Sequence, residues 1–384
     1  MTPSTPSAPL VSVVIPTYNS ARWLPLALES VWAQTYRPFE VIVIDDGSTD
    51  DTLDILEGYG ARLRFMRLGE NRGPSAARNA GVQIARGECI AFLDADDLWF
   101  PTMLTATVQY LQANPGVDLV FGGWGRIDMN GRLLPLSKFR PDFRKMPSTQ
   151  QQWVEQMLRG TMFPVGSFVL RTHCFGCCSG FNDDLAGWED WELFVRLLLH
   201  GHTFGCISEL IVQFRRHPGN STVNIPRMRE GFLAALNSIF GRADLPETYA
   251  TQKSYIYCRN WLGLAGLAFE AGDTASMRDA LREALNQFST APLSHEMAES
   301  CVSNVPPAQL SRTFIEVAAK SFRGVLAHKI RGYGYQVCAR RCLENRQWIQ
   351  GTKWALMSFW QWPAGIASAM AHRLVRGSRS VWWN

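Results

Sequence analysis

The chain has 384 residues, of which 46% are hydrophobic and 19% charged, a balance that excludes a disordered chain and indicates a sizeable core. Nine scattered cysteines exclude a disulfide scaffold and indicate reduced thiols in the cytosol. The net charge of +4 is uneven, because residues 1–230 carry 21 basic and 24 acidic side chains and residues 231–384 carry 17 and 10. The excess of basic residues in 231–384 is consistent either with binding to an anionic partner or with a solvated helical surface.

The first hundred residues alternate short apolar runs with helical stretches. Strands are predicted at 11–15, 41–44, 64–68 and 90–93, and a fifth within 118–124, because these runs are short, apolar and rich in β-branched residues. Three helices are predicted between them: one capped by Ser20, one capped by Asp50, and one from Pro74 to Ile84. This alternation predicts a mostly parallel sheet that is covered on both faces by helices.

From about Arg229 the sequence becomes mainly helical. We therefore predict a flexible N-terminus at 1–9, an α/β domain at 10–228 and an α-helical region at 229–384. Similar stretches around Phe288 and Phe359 are consistent with tetratricopeptide-like hairpins or with unrelated amphipathic helices. The chain opens without a secretory signal and has no run of about 18 uncharged apolar residues, so we expect a cytoplasmic protein without a spanning helix.

Polar residues follow three of the predicted strands, at 16–19, 45–48 and 94–97. Because open α/β sheets bind ligands at the carboxyl ends of their strands, we expect one aromatic ring and two acidic clusters to line one crevice. So much negative charge would repel itself unless a divalent cation were bound, and Mg²⁺ or Mn²⁺ prefers carboxylate oxygens. Such a cation could in turn hold a diphosphate.

Five motifs occur in a fixed order along the chain: VIPTYN at 14–19, VIDDGSTD at 43–50, NRGPSAARN at 71–79, FLDADD at 92–97 and WEDWEL at 188–193. In order and spacing they resemble the family 2 glycosyltransferases of bacterial type, over about residues 10–220. The resemblance implies the GT-A nucleotide-diphospho-sugar transferase fold, which is Rossmann-like, and an inverting reaction.

The resemblance also implies roles for individual residues. The Tyr18 ring would stack on the nucleobase and Asp46 would accept a hydrogen bond from it, whereas Asp94 would face the ribose. Asp190 would be the catalytic base, with Glu189 the less favoured candidate, because a carboxylate at a helix N-terminus stays ionised and can accept a proton. The complete set is Pro16, Tyr18, Asp46, Arg78 and Asp94 for the nucleotide, Asp96 and His217 for the metal, and Asp190 and Glu189 for catalysis.

The expected donor is a nucleotide-diphosphate sugar, with UDP favoured and GDP and dTDP open. The expected acceptor is a hydroxyl of a saccharide or of a lipid-linked molecule, in cell-surface polysaccharide or glycolipid synthesis. The alternatives are a GT-A-like nucleotidyltransferase and a catalytically inactive scaffold that uses the helical region. No P-loop motif is present, which argues against an ordinary NTPase, and no nucleic-acid partner is expected.

Two further features stand apart from these motifs. The run His173-Cys174-x-x-Cys177-Cys178 looks like part of a metal site, but no second ligand pair follows at a suitable spacing, which favours a reduced, partly buried cluster. Near the C-terminus, the basic residues Arg373, Arg376 and Arg379 and the pair Trp382-Trp383 suit either peripheral contact with the inner face of the plasma membrane or packing between helices.

Overall fold

A computed structural model describes residues 8–139, 141–142, 144, 146–161, 163–220 and 224–270, with further positions at 273, 275–277, 279–280 and 283. The chain divides into two compact units, residues 1–249 and 250–384. The predicted hairpins around Phe288 and Phe359 and the basic, Trp-rich C-terminus lie outside the described residues. No helix in the described part of the chain is long and apolar enough to cross a membrane.

The first part of the chain forms a parallel α/β arrangement. Its elements are β1 (Val11–Thr17), α1 (Leu24–Trp32), β2 (Phe39–Asp45), α2 (Thr52–Tyr59), a short 3-10 turn (Gly60–Arg62), β3 (Arg64–Arg67), α3 (Pro74–Ile84) and β4 (Cys89–Phe92). The four strands pair in parallel in the order β3-β2-β1-β4. All seven residues of β1 are buried, as expected for a central strand covered on both faces.

The second part of the chain extends the same sheet with strands of both directions. Its elements are β5 (Leu98–Trp99), α4 (Met103–Ala113), β6 (Leu119–Ile127), β7 (Leu133–Phe139), α5 (Gln150–Leu158), β8 (Phe168–Arg171), α6 (His173–Cys178), α7 (Glu189–Leu199) and β9 (Phe204–Arg215). The order continues β4-β8-β6-β9-β5, with β7 on β6. Strand β8 is antiparallel to both of its neighbours, so the sheet is mixed and the expected parallel character holds for its first four strands.

Helices cover both faces of the sheet. Helices α1, α2 and α4 pack on one face with the odd-numbered residues of β1, in a core that includes Val13, Leu28 and Leu104. Helix α3 packs on the other face against Ile42 and Ile44 of β2. On that second face, fully buried aromatic rings fill the space between the sheet and the later helices: Phe92, Phe163, Phe168 and Phe194.

The ends of the first two helices differ from the prediction. Helix α1 begins at Leu24 with Trp23 as its N-cap, and Ser20 contributes its backbone carbonyl instead of its hydroxyl, which donates to the Tyr18 carbonyl. The N-cap of α2 is Asp51, although Asp50 Oδ1 does accept the Thr52 amide at 3.0 Å. Helix α3 spans Pro74–Ile84, as predicted.

Three helices follow the sheet: α8 (Ile225–Phe240), α9 (Glu247–Ala250) and α10 (Lys253–Glu270). In α8, Pro226 lies in the first turn and the Asn224 side chain accepts the Arg227 amide, so the helix begins with a proline and a side-chain cap. The division at 228/229 and the helical assignment of the whole region 229–384 stay predictions.

Candidate active site

The carboxyl ends of β1, β2 and β4 lie side by side and carry the predicted polar residues. Tyr18 follows β1 and is 46% exposed, so its ring is available to a ligand. Pro16 lies within β1 beside Ile44 and is buried. Asp46 and Asp94 follow β2 and β4 respectively. The strand ends that were expected to line one crevice are therefore neighbours, and the Tyr18 ring beside them is exposed.

Asp46 holds the loop that leads into α3. Its two carboxylate oxygens accept the backbone amides of Arg72 and Gly73, each at 2.8 Å. Burial raises the pKa of Asp46, and the two amide hydrogen bonds act in the opposite direction. The carboxylate therefore fixes the position of the α3 N-terminus relative to β2. Each of its oxygens has a second lone pair with which it can accept a further hydrogen bond.

Arg78 on α3 is buried between two carboxylates. Its guanidinium donates to Asp94 Oδ1 and to Glu189 Oε1, both at 2.7 Å. The same group lies 5.4 Å from the centre of the Phe181 ring. Glu189 is the first residue of α7, so Arg78 joins the end of β4 to the start of α7. An arginine fits this position because its planar guanidinium group can donate hydrogen bonds to two carboxylates at once.

Asp190 is in the first turn of α7, next to Glu189. The chain enters this helix through Gly187, at φ 144°, and Trp188, at φ 63°. The indole of Trp188 donates to the Met228 carbonyl at 2.9 Å, which holds this left-handed turn in place. Burial and the negative charge of Glu189 raise the pKa of Asp190 to about 7. The carboxyl group is therefore more easily protonated than an ordinary aspartate, whereas the sequence predicted that the helix N-terminus would keep it ionised.

Asp96 lies opposite His217, which follows β9. The distance between Asp96 Oδ2 and His217 Nε2 is 2.9 Å, and the Asn220 amide donates to the same oxygen at 3.2 Å. Burial and the charge of Asp94 raise the pKa of Asp96. Asp97 is buried and accepts the Arg215 amide at 2.8 Å. Of the three acids after β4, Asp94 and Asp96 therefore keep part of their side chains exposed, and Asp97 is bound to β9.

The chain was compared with known proteins. The profile of Glycosyl transferase family 2 matches residues 12–185. An uncharacterized glycosyltransferase of Methanocaldococcus jannaschii is 31% identical over 212 residues, which cover 54% of this chain and 71% of that protein. The chain belongs to glycosyl transferase family 2. It is therefore an enzyme, and a glycosyltransferase, in preference to a nucleotidyltransferase or an inactive scaffold.

Other relatives of this family 2 glycosyltransferase are much longer than the matched region. An uncharacterized glycosyltransferase of Rickettsia bellii is 31% identical over 192 residues, covering 49% of this chain and 27% of that protein. A chondroitin synthase of Escherichia coli is 26% identical over 258 residues, covering 66% of this chain and 36% of that protein. The chain thus spans about a third or less of these two relatives.

Two solved structures share the fold of the glycosyltransferase. TarS of S. aureus, residues 1–349 in complex with UDP-GlcNAc, superposes with a TM-score of 0.53 at 20% identity, covering 85% of this chain and 91% of that one. The mannosyltransferase PcManGT of Pyrobaculum calidifontis, in complex with GDP-Man and Mn²⁺, gives 0.52 at 16% identity, covering 84% and 86%. The fold is therefore the GT-A glycosyltransferase fold.

The donors around Asp96 fit a divalent cation of the kind that such folds bind. A carboxylate oxygen and an imidazole nitrogen are suitable ligands for Mn²⁺ or Mg²⁺. Adjacent ligands of an octahedral ion with bonds of about 2.1 Å lie about 3 Å apart. The Asp96–His217 separation of 2.9 Å matches this distance. Both side chains are mostly buried, with 25% and 15% of their surface exposed, and so are held in place.

The structure adds an aromatic residue that the motifs of the glycosyltransferase did not indicate. The half-buried Trp23 ring lies under the Arg215 guanidinium, 4.6 Å from its centre, and stacks on the His217 ring with centroids 5.8 Å apart. Because Trp23 is the N-cap of α1, it connects that helix to the end of β9. In the sequence it resembles an ordinary apolar helix position, so only the fold reveals this contact.

Proposed function

We propose that this glycosyltransferase moves a sugar from a nucleotide-diphosphate sugar, with UDP favoured, to a hydroxyl acceptor, and that it inverts the anomeric centre. The observation that carries the proposal is Asp190, whose pKa is raised to about 7 at the start of α7. TarS, which was solved with UDP-GlcNAc, supports UDP, and PcManGT, solved with GDP-Man, makes GDP the second donor to test. The chondroitin synthase supports polysaccharide synthesis, with glycolipid synthesis the other candidate.

Asp190 is suited to the role of catalytic base. Once ionised, its carboxylate can take the proton from an acceptor hydroxyl while that oxygen attacks the anomeric carbon. Displacement of the nucleotide in the same step inverts the configuration. Glu189 is less suited, because Arg78 occupies its Oε1 at 2.7 Å and compensates its charge. We therefore assign proton transfer to Asp190 and positioning to Glu189.

Five residues are assigned to the nucleotide. Tyr18 would stack on the base, with Asp46 and Pro16 forming the adjacent wall and Asp94 facing the ribose. Asp94 keeps 35% of its side chain exposed beside Arg78, so it can accept another hydrogen bond. Arg78 is buried and paired at both ends, which supports a positioning role behind the nucleotide.

Asp96 and His217 would hold a divalent cation, Mn²⁺ or Mg²⁺. When bound, such a cation neutralises charge on a diphosphate leaving group. Asn220 donates a hydrogen bond to Asp96, and the Trp23 ring stacks on His217. These contacts hold the two proposed ligands in position. The Arg215 side chain donates to the Asp96 carbonyl at 2.9 Å and so fixes the same loop.

We also propose that the two regions of the chain have different functions. Residues 10–228 form the catalytic domain, and the α-helical region at 229–384 binds a saccharide or lipid-linked acceptor. We place the enzyme in the cytoplasm, at the inner face of the plasma membrane. The support for this placement is the excess of basic residues after residue 230.

A donor screen tests the proposed reaction. The full-length chain is incubated with UDP-, GDP- and dTDP-sugars and Mn²⁺ or Mg²⁺, and release of free nucleotide identifies the donor. With an accepted donor and acceptor, NMR of the new glycosidic bond is expected to show inversion. Retention of configuration would contradict the mechanism.

Matched variants test the base. Asp190→Asn is expected to keep donor affinity and to lower transfer by about 10²–10⁴-fold, because an amide cannot accept the proton. Asp184→Asn is the control, since Asp184 is exposed in the loop that precedes α7. If Asp190→Asn stayed active while Glu189→Gln was inactive, the two roles would be exchanged.

A further inference from the structure

Side chains of the types that bind metal ions, from three separate segments, meet at the end of the sheet opposite the candidate active site. Asp118 precedes β6, His173 and Cys174 lie on α6 directly after β8, and His202 lies between α7 and β9. At this end of the sheet β6 and β9 begin and β8 ends, as their pairing shows. We call these four residues the Cys-His cluster. Its parts are up to 84 positions apart in sequence, which is why the motif at 173–178 showed no second ligand pair.

The distances within the Cys-His cluster match those around a tetrahedral ion. One ligand atom from each residue lies within 4.8 Å of all the others. Asp118 Oδ1 is 3.2 Å from His173 Nε2, Asp118 Oδ2 is 3.1 Å from His202 Nδ1, and Cys174 Sγ is 3.7 Å from His202 Nδ1. Zinc bonds of about 2.3 Å to sulfur and about 2.0–2.2 Å to nitrogen and oxygen separate neighbouring ligands by about 3.3–3.7 Å.

Burial and hydrogen bonding hold three of the four side chains in place. Cys174 is 1% exposed, and the side chains of Asp118 and His202 are 19% and 13% exposed. The Thr203 amide donates to Asp118 Oδ2 at 2.9 Å, and His202 directs its other nitrogen, Nε2, at Cys177 Sγ. Hydrogen bonds of this kind, from groups that do not themselves bind the metal, fix the orientation of metal ligands. The fourth ligand, His173, is 61% exposed and leaves a path for an ion to enter.

The chemistry of the ligands selects the ion. A thiolate with two imidazoles and one carboxylate favours Zn²⁺ over Mg²⁺ or Ca²⁺, which prefer oxygen alone. Four protein ligands complete a tetrahedron and leave no open position, which is the arrangement of a structural site. A smaller set, Cys177, Cys178 and His202, offers three ligands and would compete for His202.

We propose that the chain binds one structural Zn²⁺ through Asp118, His173, Cys174 and His202, with release of the Cys174 thiol proton. The ion joins α6 to the starts of β6 and β9. Because α6 leads into the loop that ends at α7, it also supports the helix that carries Asp190. The Arg196 side chain of α7 donates to the carbonyls of Cys178 and Gly180, which connects that loop to α7 directly.

Metal content and cobalt spectroscopy of the full-length chain test the proposal without any sugar donor. Protein purified without chelator or metal-binding tag is expected to contain about one zinc per chain. After exchange with Co²⁺ alone, it is expected to show the intense visible bands of a tetrahedral site and a thiolate charge-transfer band. A wild-type chain without stoichiometric zinc, or a weak octahedral cobalt spectrum, would overturn the proposal.

Variants identify the ligands. Cys174→Ser should abolish the charge-transfer band, whereas Cys206→Ser, a change at a buried cysteine within β9, should keep both the zinc and the band. His173→Gln alters a side chain that is 61% exposed, and should weaken zinc binding by at least about 10-fold. If Cys177→Ser lost the charge-transfer band and Cys174→Ser kept it, the metal would be assigned to Cys177, Cys178 and His202 instead. That result would overturn the proposed set of ligands. Full zinc affinity in His173→Gln would do the same.

Discussion

Neighbouring carboxylates in the candidate active site have different environments because only one of them contacts Arg78. Glu189 and Asp190 are adjacent in sequence, yet only Glu189 reaches Arg78, at 2.7 Å. Asp190 is desolvated beside the charge of Glu189, and its pKa rises to about 7. An acid whose pKa is raised by burial and by a neighbouring charge is typical of sites that transfer protons. The same pair gives a test that separates the two residues.

Replacing Glu189 by Gln should move the acidic limb of the pH–rate profile to lower pH. The change removes a negative neighbour that raises the pKa of Asp190 and leaves Arg78 paired with Asp94 but no longer with Glu189, and both effects favour ionised Asp190. In the wild type, kcat/KM should fall as the pH drops through about 7. The measurement is kcat/KM between pH 5 and 9, about two units on either side of that pKa. An unmoved limb would show that Asp190 is not the group that titrates.

The raised pKa of Asp190 also has a consequence for stability. A carboxyl group whose pKa is higher in the folded state contributes its full stability below its ordinary pKa of 3.8, and this contribution is lost progressively as the pH rises to about 7. Asp190→Asn should therefore increase the free energy of unfolding at pH 8 relative to the wild type. Urea unfolding of both proteins at pH 8 and at pH 5.5 measures this, and the difference should be smaller at the lower pH.

Asp96 and His217 should control affinity for Mn²⁺. Removing either ligand, in Asp96→Ala or His217→Ala, is expected to weaken Mn²⁺ binding by at least about 10-fold, since even loss of a residue behind a ligand costs about 10–100-fold. The readout is free Mn²⁺ by electron paramagnetic resonance, and Asp51→Ala, at an exposed helix cap, is the control. Unchanged binding in both variants would remove these residues from the metal site.

At the scale of elements, α3 positions the site through its close approach to the sheet. Helix α3 carries Arg78 and begins at the loop held by Asp46, so a shift of the helix would displace both. A Cβ atom at Gly81 of α3 would overlap Cγ1 of Val14 and lie 3.3 Å from Cγ1 of Ile44. Val14 is fully buried and β-branched, so it has little freedom to move away.

Gly81→Ala should therefore destabilise the protein by about 1–3 kcal/mol, as overpacking does in well-packed cores. Gly58→Ala in α2 is the matched control, since nothing lies within 4 Å of an added Cβ there and alanine favours a helix by about 0.5–1 kcal/mol. Chemical denaturation gives both free energies of unfolding. Equal stability of the two variants would show that α3 can move away from the sheet at little cost.

Elements with strong local signals could be predicted from the sequence, and elements that depend on distant partners could not. The first four strands and α3 combine an apolar run with clear breaks at their ends, and all were found within about two residues of the prediction. Strands β5, β7, β8 and β9 were missed. Strand β9 contains two consecutive exposed residues, Ser208 and Glu209, so it lacks the regular pattern of a strand, and it is held in the sheet by pairing with β6. Sheet pairing of this kind overrides local propensity.

At the scale of the whole molecule, the acids of the site could be found from their motifs, but their connections could not. Three of the five motifs name residues at strand ends, and the other two name Arg78 on α3 and Glu189 and Asp190 on α7. The ion pair between Arg78 and Glu189 joins positions 111 apart, and the contact between His217 and Asp96 joins positions 121 apart. Which acid is paired and which is free to accept a proton depends on these contacts. The expected contact of Arg78 with a nucleotide stays a prediction.

The basic C-terminus provides a test at the same scale, based on sequence alone. Arginine attracts anionic lipid headgroups and tryptophan prefers the membrane interface, so the last residues of the chain suit a lipid surface. Each basic residue near an anionic surface contributes about 1 kcal/mol, and three of them should change binding by about two orders of magnitude. Replacing Arg373, Arg376 and Arg379 by Gln in the full-length chain should therefore abolish flotation with vesicles that contain phosphatidylserine.

The matched control replaces three exposed arginines of the first unit, Arg62, Arg132 and Arg144, by Gln. Both triple variants have the same net charge, so a general electrostatic effect would weaken their flotation equally. A local effect of the C-terminus would leave the control bound. Trp382→Ala with Trp383→Ala separates the two contributions further, because it should weaken flotation without changing its dependence on salt. If the wild type did not float, or if the C-terminal variants floated like the wild type, the helical region would be assigned to acceptor binding or packing instead of to a membrane.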